Sequence, residues 1–275
     1  MNRAPNTSGY VHGTEPEEQQ RLAVMNRIIN RGSLAALAPV PGERTLDVGC
    51  GLGQLTRDIA RATGARTLGI ERSPEQLRRA IELAEADGET ALVEFRAGDA
   101  LALPLETGEW GAFDCAHARF LLEHVPDPGA VVAAMARALR PGGRVVLEDD
   151  DHEVFRLWPE PAHFGAVWRA YTRTYDRLGC DPIVGRRLVQ LLAGAGLRLR
   201  RSTVLPFGAC SGSPEFAPLV TNVIVILEGA RAAILETGGV TAAEVDDALA
   251  ALEAFGGRGD AAIWYGAPWA EGVRP

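Results

Sequence analysis

The chain has 275 residues, 47% of them apolar and 23% charged, enough for a sizeable core in one large or two small domains. A formal net charge of −8, with arginine as the only strongly basic residue type, argues against a nucleic-acid surface, which needs a basic stripe. Four widely spaced cysteines (Cys50, Cys115, Cys180, Cys210) without a C-x-x-C argue against a disulfide framework or a cysteine metal site and suit a reducing cytoplasm, and the most apolar run, Leu219–Leu227, is too short to span a bilayer.

Residues 1–16 are polar and carry no apolar signal core. Leu22, Met25, Ile28, Ile29 and Leu37 recur at helical spacing and predict a helix over Glu17–Leu37, closed by Pro39-Val40-Pro41-Gly42. Thr45-Leu46-Asp47-Val48 reads as a short buried strand. Gly49-Cys50-Gly51-Leu52-Gly53 then turns with almost no side chains into a helix marked by Leu55, Ile59 and Ala62. Glycines in such a strand–turn–helix let the backbone approach a ligand closely. Thr67–Ile70 is a second strand, and Ser73-Pro74 starts a helix with a cap and a first-turn proline. Glu71 stands at the end of that strand, about twenty residues past the turn, where a carboxylate can accept both hydroxyls of a ribose. A solvated strand-end charge is the competing reading.

A third strand is expected over Leu92–Arg96, a fourth over Phe113–His117, a helix from Pro126-Asp127-Pro128 to Leu139, and a fifth strand over Val145–Glu148 after Pro141-Gly142-Gly143. Strands alternating with helices predict an α/β fold with a parallel sheet and helices on both faces. Beyond Asp151 the texture changes, and twelve of the seventeen aromatic residues lie there. Helices are expected over Pro161–Leu178, Gly185–Ala195, Pro214–Leu235 and Ala242–Phe255, with strands over Leu197–Leu205 and Ala262–Arg274. The aromatic stripe Phe164, Trp168, Tyr171 and Tyr175 suits a pocket for a flat apolar substrate. A packed core is the competing reading.

The order Asp47-x-Gly49-x-Gly51-x-Gly53 resembles the class I S-adenosylmethionine (SAM)-dependent methyltransferases. So do Gly98-Asp99-Ala100, Phe113-Asp114-Cys115-Ala116-His117-Ala118-Arg119 through Pro128, and Ala138-Leu139-Arg140-Pro141-Gly142-Gly143-Arg144-Val145-Val146-Leu147. These matches run from about Arg44 to Glu148 and resemble the small-molecule, type 11 branch. Tyr10-Val11-His12-Gly13 with Arg21-Leu22 resembles an N-terminal lid of relatives. The resemblance implies a Rossmann-like, seven-stranded, mostly parallel sheet with helices on both faces and a helical cap. It also implies a lid and helix over 1–40, a SAM-binding core over 41–150, and cap helices with the final strands over 151–275.

By that resemblance Asp47, Gly49, Cys50, Gly51 and Gln54 hold the methionine end of SAM. Glu71 holds the ribose with Arg72 flanking the adenine, and Gly98, Asp99 and Ala100 meet the adenine edge. The Ala116 carbonyl meets the SAM amino group; Arg119 either contacts its carboxylate or pairs on the surface. Catalytic candidates are His117, His152, Tyr10 and His12, because histidine titrates near neutrality; packing or surface roles compete for each histidine. The expected reaction carries a methyl group from SAM to a small aromatic or apolar metabolite of natural-product biosynthesis. It leaves S-adenosylhomocysteine, with no metal. Oxygen, nitrogen and carbon acceptors stay open, as does a homodimer. A SAM-binding regulatory protein without transfer activity is the alternative, and a nicotinamide oxidoreductase is disfavoured by the spacing around Asp47. Neither a membrane nor a nucleic-acid partner is expected.

Overall fold

A computed structural model describes residues 16–275, with side chains from Met25 onward except Arg27. The Tyr10–Gly13 part of the expected lid, and with it Tyr10 and His12, lies outside the described residues, as do the side chains of Arg21 and Leu22. In chain order the elements are α1 (Pro16–Leu37), β1 (Thr45–Val48), α2 (Gln54–Thr63), β2 (Thr67–Glu71), α3 (Pro74–Ala86), β3 (Val93–Ala97), β4 (Phe113–Arg119), α4 (Pro128–Ala138) and β5 (Leu139–Glu148). There follow β6 (Arg156–Trp158), α5 (Phe164–Thr172), α6 (Leu188–Gly194), β7 (Arg198–Cys210), α7 (Phe216–Gly229), α8 (Arg231–Glu236), α9 (Ala242–Gly256) and β8 (Ala262–Val273). Eight strands form among the described residues: the seven expected and the three-residue β6.

The chain divides into two compact units. The sheet unit comprises Ile29–Asp151, Ile183–Leu205 and Ala267–Pro275. Its strands run in the order β3-β2-β1-β4-β5-β8, parallel except for β8, which is antiparallel to β5. The alternation of each strand sorts its side chains to two faces. On one face Leu46, Val48, Ala116, Ala118, Val145 and Leu147 pack with Val131, Val132 and Met135 of α4 and with Leu188 and Leu192 of α6. On the other, Cys115, Val146 and Trp269 pack with Leu37 of α1 and Leu55 and Ile59 of α2. Both starts marked by Ser or Asp before Pro are real caps: Ser73 Oγ accepts the Gln76 amide of α3, and Asp127 accepts the Ala130 amide of α4.

The helical unit comprises the described residues up to Ile28, with His152–Pro182 and Pro206–Gly266. Within it β6 pairs antiparallel with the first residues of β8. Helix α9 begins with a capping box, Thr241 Oγ1 accepting the Glu244 amide while Glu244 accepts from the Thr241 amide.

Several boundaries differ from expectation. Strand β4 runs on to Arg119 and does not stop at His117, because His117, Ala118 and Arg119 are register partners of Val146, Leu147 and Glu148 on β5. Strand β5 begins at Leu139, ahead of Pro141-Gly142-Gly143. The glycines join the β8 end, Gly142 donating to the Arg274 carbonyl at 2.9 Å and Arg274 donating to that of Gly143 at 2.8 Å. The helix expected over Pro161–Leu178 is α5 followed by a 3-10 segment, Arg173–Leu178, and that over Gly185–Ala195 is a 3-10 turn, Val184–Arg187, followed by α6. The one expected over Pro214–Leu235 is broken into α7 and α8 at Gly229-Ala230.

Candidate active site

The carboxyl ends of β1, β2, β4 and β5 meet in the sheet unit, and the glycine turn lies between β1 and α2. Gly49, Gly51 and Gly53 all have positive φ, 74°, 55° and 68°, which L side chains rarely adopt. A Cβ on Gly53 would stand 2.4 Å from the Phe95 ring, so that glycine is demanded by packing. A Cβ on Gly51 would meet only Gln76, at 3.4 Å, so there the space is left for something other than protein. The turn is tied to β2: the Gly49 and Cys50 amides both donate to the Ile70 carbonyl, and the Gly51 amide donates to Glu71 Oε2 at 2.9 Å.

Glu71 also accepts the Ser73 amide on Oε1, at 2.7 Å. Its carboxylate therefore sits where the spacing placed it, braced by one amide on each oxygen, with a second lone pair left on each. Burial pushes its carboxyl above the ordinary range, against the pull of the Ser73, Gly51 and Arg72 amides. Arg72 is exposed. Asp99 Oδ1 accepts the Leu101 amide at 2.9 Å, the local capping contact, and Ala100 is buried behind it. Gly98 is needed because a Cβ would lie 2.4 Å from Pro104. Gln54 Oε1 is buried and has no hydrogen-bond partner among the described residues. The Cys50 thiol is pushed up by burial and by the charges of Asp47 and Glu71, which makes it unreactive.

Four of the expected assignments fall on residues that are mostly enclosed. Asp47 is buried, with Oδ2 accepting from Thr56 Oγ1 at 2.6 Å and Oδ1 facing His117 Nδ1 at 2.8 Å, so it ties β1 to α2 and β4 below the turn. His117 is 1% exposed and lies inside the ladder, two residues short of the end of β4, so it orients Asp47 and is closed off from open space as a base. Ala116 lies between Leu46 of β1 and Val145 of β5, three residues short of the strand end. In the helical unit Phe164, Tyr171 and Tyr175 are buried core residues. They form a ring cluster with Trp168 and His152, and the Tyr171 and Tyr175 hydroxyls lie 3.1 Å apart. Of the four aromatics expected to line a substrate pocket, only Trp168 is half-exposed, and its indole N–H donates to the His152 carbonyl.

Arg119 is held from α1: its guanidinium donates to Asn30 Oδ1 at 2.8 Å and Ser33 Oγ at 3.0 Å. Ser33 in turn donates to Glu148 Oε1 at 2.9 Å, and Asn30 to Asp58 at 3.0 Å. Burial raises the Glu148 carboxyl, opposed by the Arg119 charge. Asp149 is fully buried and gathers the amides of Leu121 and Leu122 on Oδ2 and of Glu123 on Oδ1, at 3.0, 2.7 and 3.3 Å. Burial, then the Asp150 charge, pushes its carboxyl up to about 7. Sequence reasoning missed Asn30, Ser33, Thr56 and Asp149. The one available signal was the polar pair Asn30 and Ser33, three apart on an otherwise apolar helix stripe.

Glu71, Glu148 and Asp149 share a sign. Each folded-state pKa lies above its unfolded value, so the folded chain binds protons more tightly and stability falls as pH rises through the window between them. The urea midpoint should therefore decline from pH 5 towards pH 7.5 as Asp149, pushed up to about 7, ionises in the folded state, with Glu71 and Glu148 acting in the same direction. A flat or rising profile, measured by circular dichroism in a constant-ionic-strength buffer, would contradict these burial costs.

The methyltransferase-domain family profile matches residues 46–147, the span of β1 through β5 and the turn. An O-methyltransferase of Penicillium expansum is 34% identical over 149 residues, 52% of this chain and 53% of that protein. An O-methyltransferase of Aspergillus nomiae is 30% identical over 172 residues, 56% of this chain and 75% of that protein. The chain belongs to the class I methyltransferase family. The protein spans about half the length of the curated relatives it matches first. A crystal structure of a [4+2]-cyclase has the same fold as this family member, with a TM-score of 0.58 and 20% identity over 96% of this chain and 97% of that one. No helix among the described residues is long and apolar enough to cross a membrane.

Proposed function

We propose that the protein transfers a methyl group from SAM to a small metabolite, an oxygen acceptor in secondary metabolism being favoured by the names of its relatives. The single observation that carries this reading is the Glu71 carboxylate, braced by the Gly51 and Ser73 amides at the ligand edge of a family-matched turn. Residues of the sheet unit fit the donor. Gln54 offers a buried oxygen without a partner, Gly51 leaves room beside the backbone, and Glu71 and Asp99 present carboxylates at the ends of neighbouring strands. Bound there, SAM supplies an electrophilic methyl on a sulfonium. The chain then has to align the acceptor and exclude water, and we assign no general base. In this proposal residues 41–150 hold SAM, with Arg119 facing its carboxylate, and 151–275 choose the acceptor. The protein is cytoplasmic, acts on a small molecule, and meets neither nucleic acid nor membrane; sedimentation distinguishes a monomer from a homodimer.

Calorimetry with S-adenosylhomocysteine should give saturable binding, and Glu71→Ala should weaken it by about 1–3 kcal/mol, the cost of losing hydrogen bonds to a charged group. Tighter binding of NADH than of S-adenosylhomocysteine would overturn the reading. Binding without methyl transfer to any acceptor in a cognate extract would leave the regulatory alternative.

A further inference from the structure

At the amino-terminal ends of the sheet strands, away from the glycine turn, the sheet unit holds a cavity of about 560 Å³ open to solvent. Its rigid floor is Arg144, whose guanidinium grips Glu43 with two bonds of 2.7 and 2.8 Å and reaches Glu271 at 3.3 Å. Arg140 is paired with Asp114. Strand β7 then contributes three more arginines. Arg198 is exposed and forms no hydrogen bond or ion pair with the described residues. Arg200 has a side chain 61% exposed and shares Glu271 at 3.3 Å. Arg201 lies with its guanidinium 4.2 Å over the Trp269 ring and donates to the Ala36 carbonyl.

Five guanidinium groups thus face three carboxylates, a surplus of two positive charges in a chain whose net charge is −8. The three acids are shared among Arg140, Arg144 and Arg200, so the surplus falls on Arg198 and Arg201, with Arg200 still 61% exposed beside them in the lining. Planar guanidinium forks match the oxygens of a phosphate better than a point charge does. Val40, 56% exposed, and Pro41 add an apolar shelf on the same wall. The volume is that of a small-molecule site.

We propose that this cavity binds a free, small, phosphate-bearing anion, at a site separate from the glycine turn and independent of the methyl-transfer reading. A concave site on an otherwise acidic protein suits a diffusing anion, which local positive charge draws in, better than it suits an anionic bilayer. The probe is pyrophosphate, titrated calorimetrically into the full chain at low salt. One saturable site is expected. The double variant Arg198→Ser, Arg200→Ser should weaken it by at least about tenfold, through loss of charge-assisted bonds. Both side chains are exposed, so the fold is kept; unchanged urea midpoint and unchanged S-adenosylhomocysteine heat check that. Arg78→Ser, on the exposed face of α3, should leave pyrophosphate affinity unchanged. Absence of saturable heat up to about 10 mM, a free energy too small for a built site, would overturn the proposal. So would equal affinity in the double variant, or capture by phosphatidic-acid vesicles without pyrophosphate binding.

Discussion

Replacing Arg144 by methionine should cost about 3–5 kcal/mol of stability at pH 7.5, the penalty for removing one partner of a buried charge cluster. The guanidinium is enclosed, and it satisfies Glu43 on both oxygens, Glu271 on one, and the Leu37 carbonyl at 2.7 Å. Without it Glu43, 8% exposed, loses its guanidinium partner, and Glu271, 5% exposed, keeps only the exposed Arg200. Adding Glu43→Gln and Glu271→Gln to the variant should restore much of the loss at pH 7.5. A loss below about 1 kcal/mol in urea denaturation, the size seen for exposed pairs, would show that the cluster contributes no more than surface charges do.

The second large effect is expected at Gly53. Gly53→Ala should cost about 2–4 kcal/mol, combining a left-handed backbone unsuited to a Cβ with overpacking. A Cβ on Gly53 would lie 2.4 Å from the Phe95 ring and 3.1 Å from the Ala80 side chain, so either the ring or the turn has to shift. Phe95→Leu in the same chain should recover the packing part of the loss and leave the backbone part, giving a coupling energy in a double-mutant cycle. Additivity of the two substitutions would assign the glycine to backbone conformation alone.

Much of the sheet unit was legible because its local signals agree. Thr45–Val48 is uniformly buried between two neighbours, as an apolar parallel strand must be. Ser73-Pro74 and Asp127-Pro128 cap the helices they announce. Glu71 fell where spacing placed it, because a strand and a tight turn have fixed lengths. What could not be read is what depends on cross-strand partners. Asp47, His117, Arg119 and Glu148 form a polar line across β1, β4 and β5 on a covered face. In one dimension His117 and Arg119 look like the polar end of a strand, which predicts a β4 two residues too short. Period-two reading sees alternation, not the Thr56, Asn30 and Ser33 side chains that satisfy those groups from helices. Helical spacing shows that Phe164, Trp168, Tyr171 and Tyr175 share a side, but it does not separate a pocket wall from the packed core that three of them enter.

The amides gathered by Asp149 have an implication for dissection of the chain. Leu121, whose amide Asp149 holds, is also the side chain that a Cβ on Gly49 would strike, at 2.9 Å. The glycine turn is thus propped by a loop from β4 that is itself pinned by the last residue but two of the sheet unit's first segment. A fragment ending anywhere before Asp149 would strand three amide donors and release the prop. Shortened pieces carrying the whole glycine turn should therefore behave as non-binders, not as weak binders, and domain-trimming for ligand screens has to start downstream of that carboxylate.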